Sequence, residues 1–186
     1  LFRSRAQVLL TLRRPEESET ALLKVLSECQ GMGDTRGARA VAVVLASSYA
    51  FMGRSAEASR YCRLAAALYK TGADTMSSKI ALFYESYALF WEGNTEEAMI
   101  AIQSALSGDD TGVVPEFRRK CLRFLGELAL LTGNHDSGLR AVEKIKGLGL
   151  RRGIPSSEAS VLALLLELAL DATHRRDILA HLTDMV

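Results

Sequence analysis

Residues 90–102 read FWEGNTEEAMIAI. Forty residues earlier, from Ala50, stands AFMGRSAEASRYC, and forty later, from Leu130, stands LLTGNHDSGLRAV. Gly53, Gly93 and Gly133 therefore coincide at a period of forty. The frame extends back to LTLRRPEESETAL from Leu10, with Arg13 in the glycine's place, and on to LDATHRRDILAHL from Leu170, with Thr173 there. A fixed period of this length marks a stack of similar supersecondary units and has to be recognised before any other reading.

The columns of the frame behave as packing positions. Ser18, Ala58, Ala98 and Gly138 are all small; Leu22, Cys62, Ile102, Val142 and Leu182 are all apolar and larger. A further column, Ala6, Ala46, Ser86, Gly126 and Leu166, is mostly small, and another runs Phe2, Ala42, Leu82, Leu122 and Leu162. Small residues let two helices approach and large ones fill the space beside them. Apolar residues recur at three and four rather than two, which excludes strands. Each unit holds two helices, with the glycine where a left-handed residue ends the first. Asn94-Thr95-Glu96-Glu97 opens the second with a cap and acids in its first turn, and Pro15 serves near the start of another. This predicts ten helices, at about 1–13, 16–30, 36–52, 55–71, 76–92, 95–107, 116–132, 135–147, 156–172 and 174–186. The longer joints fall at GMGDTRG (31–37), TGADTMSS (71–78), SGDDTGVVPE (107–116) and GLGLRRGIPSS (147–157).

Composition narrows the function classes. A chain of 186 residues with 48% hydrophobic and 24% charged residues is ordinary for a globular domain, and its net charge of +1 with interspersed signs points to neither nucleic acid nor an anionic membrane. Three widely spaced cysteines, Cys29, Cys62 and Cys121, form no CxxC pair, so neither a zinc site nor a disulfide framework is indicated. Free thiols fit a reducing, cytoplasmic setting, and Cys62 stands in a core column. The longest apolar run, residues 161–172, is too short to span a bilayer and carries Glu167. The opening LFRSRAQVLL reads like the middle of a helix, as expected of a piece of a longer chain.

No catalytic constellation is legible. His135, His174 and His181 lack surrounding ligands, and there is no HExxH, GxSxG or GxxxxGK[ST]. The glycines of GLGLRRG follow a helix rather than a strand and read as a flexible joint. The arginine pairs, including Arg118-Arg119 within RRKCLRF (118–124), read as solvated helix ends rather than the clustered stripe that DNA requires. No catalysis, cofactor, metal or direct nucleic-acid contact is expected.

At this point the residues resemble the tetratricopeptide repeat. Leu45, Ala46, Tyr49, Gly53, Ala58, Cys62 and Ala65 fall at its signature spacings; later units keep Gly93, Ala98, Ile102 and Ala105, then Gly126, Gly133, Gly138 and Val142. The motif's closing proline is absent throughout, and Thr173 and Ile178 depart from the pattern in the last unit. The resemblance covers nearly the whole chain. It implies an all-α, right-handed α-α superhelix of about five antiparallel helix pairs, forming a single domain with units near 1–34, 35–74, 75–114, 115–154 and 155–186. The long repeats look like those of bacterial LuxR-type and antibiotic-regulatory activators, which implies a sensor or docking domain. Alternatives are an accessory domain of an enzyme and an oligomerisation module acting through apolar ends.

The resemblance also implies a concave groove lined by the first helix of each unit. Carried over by spacing, its lining residues are Phe83, Tyr87 and Trp91, with Ile80 and Phe90, from one unit, and Lys120, Arg123 and Glu127 from the next. The stretch ALFYESYALFWEGNTEEA (81–98) holds five of the chain's twelve aromatics. Beside Lys120 and Arg123 such a row suits a protein, a peptide or a small effector. A helix apolar on nearly every side also suits a core, and Leu82 and Leu89 are expected there. Glu85 stands where complete repeats place leucine, so it either reaches water or meets a basic partner.

Overall fold

A computed structural model describes residues 15–72, 74–108 and 113–151. Seven helices follow one another: α1 (Pro15–Gly31), α2 (Thr35–Phe51), α3 (Ser55–Lys70), α4 (Thr75–Trp91), α5 (Thr95–Leu106), α6 (Pro115–Thr132) and α7 (His135–Arg151). No strand occurs among the described residues. The first six lie within one residue of the bounds expected from the sequence at either end. The seventh runs on to Arg151. GLGLRRG is therefore not a joint from its first glycine: the helix continues through Gly147 and Gly149, each costing about 1 kcal/mol relative to alanine. The helices expected at 1–13, 156–172 and 174–186 lie outside the described residues.

Four connections share one construction. Gly33, Gly53, Gly93 and Gly133 have φ of 68°, 71°, 85° and 68°. This left-handed region costs L side chains roughly 1–2 kcal/mol and glycine nothing. The residue after each glycine donates its N–H back over the helix end: Asp34 to Cys29, Arg54 to Tyr49, Asn94 to Leu89 and Asn134 to Ala129, at 2.8–2.9 Å. This is the Schellman closure, which satisfies carbonyls that have no partner within the helix. The carbonyl of that same residue then accepts the first bond of the next helix, from Ala38, Ala58, Ala98 and Gly138. GMGDTRG, expected as one of the longer joints, is thus the same tight turn as the others. Asp34 completes it by accepting from the Gly37 amide at 2.9 Å, and Asn134 by accepting from Ser137 at 3.2 Å.

The chain forms two compact units, one ending at Ala101 and the other starting at Ile102, so the division falls inside α5. In the first lobe α1 packs on α2, α2 on α3 and α3 on α4; in the second α6 packs on α7. Connections of two to four residues between contacting helices make each of these joined pairs antiparallel. The small-residue column is shut away, Ser18, Ala58 and Ala98 being 0% exposed. So is the column of larger residues, with Leu22 at 2%, Cys62 at 3% and Ile102 and Val142 at 0%. The first lobe's core gathers Leu22, Leu26, Val41, Leu45, Tyr49, Tyr61 and Cys62.

Candidate functional site

Phe83, Tyr87 and Trp91 stand four apart on α4 and share a face. Phe83 is 8% exposed, which places this expected lining residue in the core. Tyr87 and Trp91 are half-buried and pack against the core of the first lobe. The Phe83 and Tyr87 rings lie 5.0 Å apart at 59°, and those of Phe90 and Trp91 5.1 Å apart at 63°. Leu82 and Leu89, expected in the core, are half-buried; Ala81, Phe83, Ser86 and Ala88 point inward instead. A helix apolar on almost every side has no polar stripe to announce which face is covered, so its rotation was not fixed by the pattern. Lys79 is buried as well, at 6% exposure.

A polar seam that sequence reasoning did not foresee joins α3 to α4. Arg63 donates through Nε to Glu92 Oε1 at 2.8 Å, and Ser59 Oγ donates to the same oxygen at 2.6 Å. The Arg63 bond, followed by the Ser59 bond, holds the Glu92 carboxyl below its ordinary range. Glu85 pairs with Lys70 Nζ at 2.8 Å while keeping 31% of its side chain exposed, so it both meets a basic partner and reaches water. Arg39 of α2 closes the other end of α3, donating to the Leu68 carbonyl at 2.9 Å and the Thr71 hydroxyl at 3.2 Å. It satisfies a carbonyl in the last turn of α3. None of these pairs is near in sequence, and no local spacing signals them.

The other expected lining residues stand on α6, in the second lobe. Lys120 is exposed. Arg123 Nε approaches Glu127 Oε1 at 3.5 Å, with 41% and 47% of the two side chains exposed. That approach is too long for a good hydrogen bond, and Arg123 Nε is a buried nitrogen without an acceptor. Desolvation pushes the Glu127 carboxyl up from its usual range, with the Arg123 charge only partly opposing it. A second feature of this lobe is a hollow of about 310 Å³ between the end of α5, the middle of α6 and the first half of α7. Leu106, Leu122, Leu125 and Ala141 give it an apolar floor, and Arg140 and Lys144 stand at its edge.

Cys29, Cys62 and Cys121 are free and buried. Burial alone pushes the Cys62 thiol up to about 12 and, with the Asp34 and Glu28 charges, raises Cys29 too, so the nucleophilic thiolate is disfavoured in both. His135 is exposed at the start of α7. Among the described residues no group of three or more His, Cys, Asp or Glu could hold a metal, and no helix is long and apolar enough to cross a membrane. Comparison with protein-family models finds no match, and neither does comparison with curated proteins.

Proposed function

We propose that the chain is a non-catalytic, tetratricopeptide-like superhelical scaffold that binds a protein, a peptide or a small effector on its concave face. The observation that carries this is the recurrence of one turn, with the same left-handed glycine and the same two backbone bonds, on either side of Gly53, Gly93 and Gly133. Identical turns at a forty-residue spacing, with the small-residue column buried beneath them, are what a stacked helical array requires. A sensor or docking domain of a bacterial transcriptional regulator, in the reducing cytoplasm that three free cysteines suit, is the setting this reading favours.

Binding residues are assigned lobe by lobe: Tyr87 and Trp91 in the first and, taken separately, Lys120, Arg123 and Glu127 in the second. Two features support this assignment. Tyr87 and Trp91 are large amphipathic rings left half-exposed, as interface anchors are. Glu127 reaches water beside Arg123 while desolvation raises its carboxyl, so a charged partner would meet it there.

Selection from a displayed random-peptide library, counter-screened on a Tyr87→Ala/Trp91→Ala variant, tests the proposal. Peptides should be enriched that lose at least about tenfold in affinity on Trp91→Ala alone, as expected for an anchor worth about 2 kcal/mol. Enrichment of peptides indifferent to both substitutions would move the site elsewhere. A strongly blue-shifted Trp91 emission, insensitive to quenchers, would remove the tryptophan from any accessible face.

A further inference from the structure

The hollow in the second lobe has a counterpart position in the first, where other side chains stand. Counting back two periods, Leu106, Leu125 and Ala141 correspond to Leu26, Leu45 and Tyr61. Tyr61 is 7% exposed and stacks on Tyr49, with ring centres 5.3 Å apart and planes within 13°. Two periods on, both tyrosines are alanines, Ala141 and Ala129. Leu106 and Leu125 keep the leucines of the first lobe, Leu122 takes the place of Ala42, the rings are gone, and a hollow of about 310 Å³ opens beside Ala141. Such a volume is at the lower end of those that hold small molecules.

The charges change in step. Arg140 matches Arg60, whose guanidinium lies 5.6 Å from the centre of the Tyr61 ring. Lys144 matches Leu64, a residue packed against the core. The second lobe has thus lost a ring, kept the cation that covers it and gained a second cation one turn away. Like charges at this spacing disfavour each other. Among the described residues neither cation meets a carboxylate. The Arg140 guanidinium donates to Ser137 Oγ at 3.3 Å, and that serine, 6% exposed, lines the hollow.

We propose that this hollow is a binding site for a small aromatic carboxylate. The ring lies on Leu106, Leu122, Leu125 and Ala141, in place of the tyrosine ring that the first lobe carries in its own chain. Arg140 lies over the ring's face, as Arg60 does over Tyr61, and Arg140 and Lys144 share the carboxylate, which relieves their mutual repulsion. The site is independent of the concave face proposed above.

The test uses 2-naphthoate and its uncharged amide, 2-naphthamide, titrated against the whole chain by ligand fluorescence and calorimetry. Saturable one-to-one binding of 2-naphthoate is expected with Kd on the order of 0.1–1 mM. The amide should bind roughly tenfold more weakly, and Arg140→Gln/Lys144→Gln should lose a similar factor, since charge-assisted bonds are about twice as strong as neutral ones. Ala141→Phe should abolish binding while leaving the helical signal and thermal midpoint intact or raised, because the new ring occupies the hollow. Tyr87→Ala/Trp91→Ala should leave the 2-naphthoate Kd within error whatever it does to peptide binding, which separates this site from the concave face; a matching loss of 2-naphthoate would overturn the assignment to the hollow. Absence of saturation up to about 10 mM, well beyond the range expected for a ligand of this size, would overturn the proposal. So would equal affinity for acid and amide, or binding that survives Ala141→Phe.

Discussion

In the first lobe, Tyr49 of α2 stacks on Tyr61 of α3 in a core that also holds Leu22, Leu26 and Leu45, and charge closes it at the surface. Tyr49 Oη donates to Glu19 Oε1 at 2.8 Å, Arg54 Nη1 donates to Glu19 Oε2 at 2.9 Å, and the Arg54 guanidinium lies 4.7 Å from the Tyr49 ring. Burial, then the Glu19 bond, drives the Tyr49 hydroxyl's ionisation far up, so it stays a donor. Two periods later the repeat carries alanines in place of both tyrosines, α5 ends at Leu106 where α1 runs on to Gly31, and an open volume rimmed by Arg140 and Lys144 is left. The frame is maintained by glycines, small columns and apolar columns. What differs is the side chain placed over it and, between α5 and α6, a longer connection after a shorter helix, so repetition fixes the columns and leaves the junctions free to be filled or emptied.

The largest effect that can break this comparison comes from one leucine column. Leu45 is 0% exposed in the filled junction, and Leu125, its counterpart, is 8% exposed beside the hollow. Leu45→Ala should cost about 4 kcal/mol, toward the upper end of the range for a cavity opened in a packed core. Leu125→Ala should cost about 2 kcal/mol, because part of the surrounding contact is already missing. Urea denaturation of both variants, followed by circular dichroism, measures this. Equal losses would mean that the hollow is not a genuine packing deficit.

The turns supply the next effect, and here the two lobes should agree. Gly53 and Gly133 have φ of 71° and 68°, and a Cβ on either would meet nothing within 4 Å. Only the backbone conformation resists substitution. Gly53→Ala and Gly133→Ala should each cost about 1–2 kcal/mol. A difference beyond roughly 0.5 kcal/mol, the usual error of additivity, would show that the turns are not equivalent after all.

These turns were also the most legible part of the molecule. Glycine at a fixed spacing followed by Asn or a charged residue and then a helix-favouring run signals its local geometry directly, because a left-handed residue has few alternatives to glycine. The small and apolar columns were legible for a related reason: Ser18, Ala58 and Ala98 repeat the same steric demand. Three things were hidden. The rotation of α4, which buries Phe83 and leaves Leu82 and Leu89 half-exposed, had no polar face to reveal it. Its cross-helix partners, Arg63 for Glu92 and Lys70 for Glu85, lie 29 and 15 residues away in sequence, within reach only once α3 lies against α4. The hollow is the third, although Tyr61 and Ala141 stand in one column of the repeat frame. Aligning by spacing shows that a ring is missing there, but not whether the neighbours close over the gap.

The smallest effect is a difference in sign between two carboxylates of the two lobes. Glu92 is held below its ordinary value of 4.5 by Arg63 and Ser59. Its stabilising contribution is fully present above that value and is lost as pH falls through the lower native value. Glu127 is raised above 4.5 by desolvation. In its window the native state binds more protons than the unfolded state, so stability falls as pH rises through the native value. The resulting cost is complete above that value and absent well below 4.5. Glu92→Gln should therefore destabilise the protein at neutral pH, with the difference shrinking as the solution is acidified below 4.5. Glu127→Gln should stabilise it slightly at neutral pH, with the difference already shrinking on the way down to 4.5. Water reaches 47% of the Glu127 side chain and weakens the effect, so the second change should be the smaller. Urea midpoints for the wild type and both variants, taken from about pH 3 to about pH 8 across the carboxylate range, decide the matter. Destabilisation by Glu127→Gln at neutral pH would mean that its contact with Arg123, loose at 3.5 Å, outweighs the water it has lost.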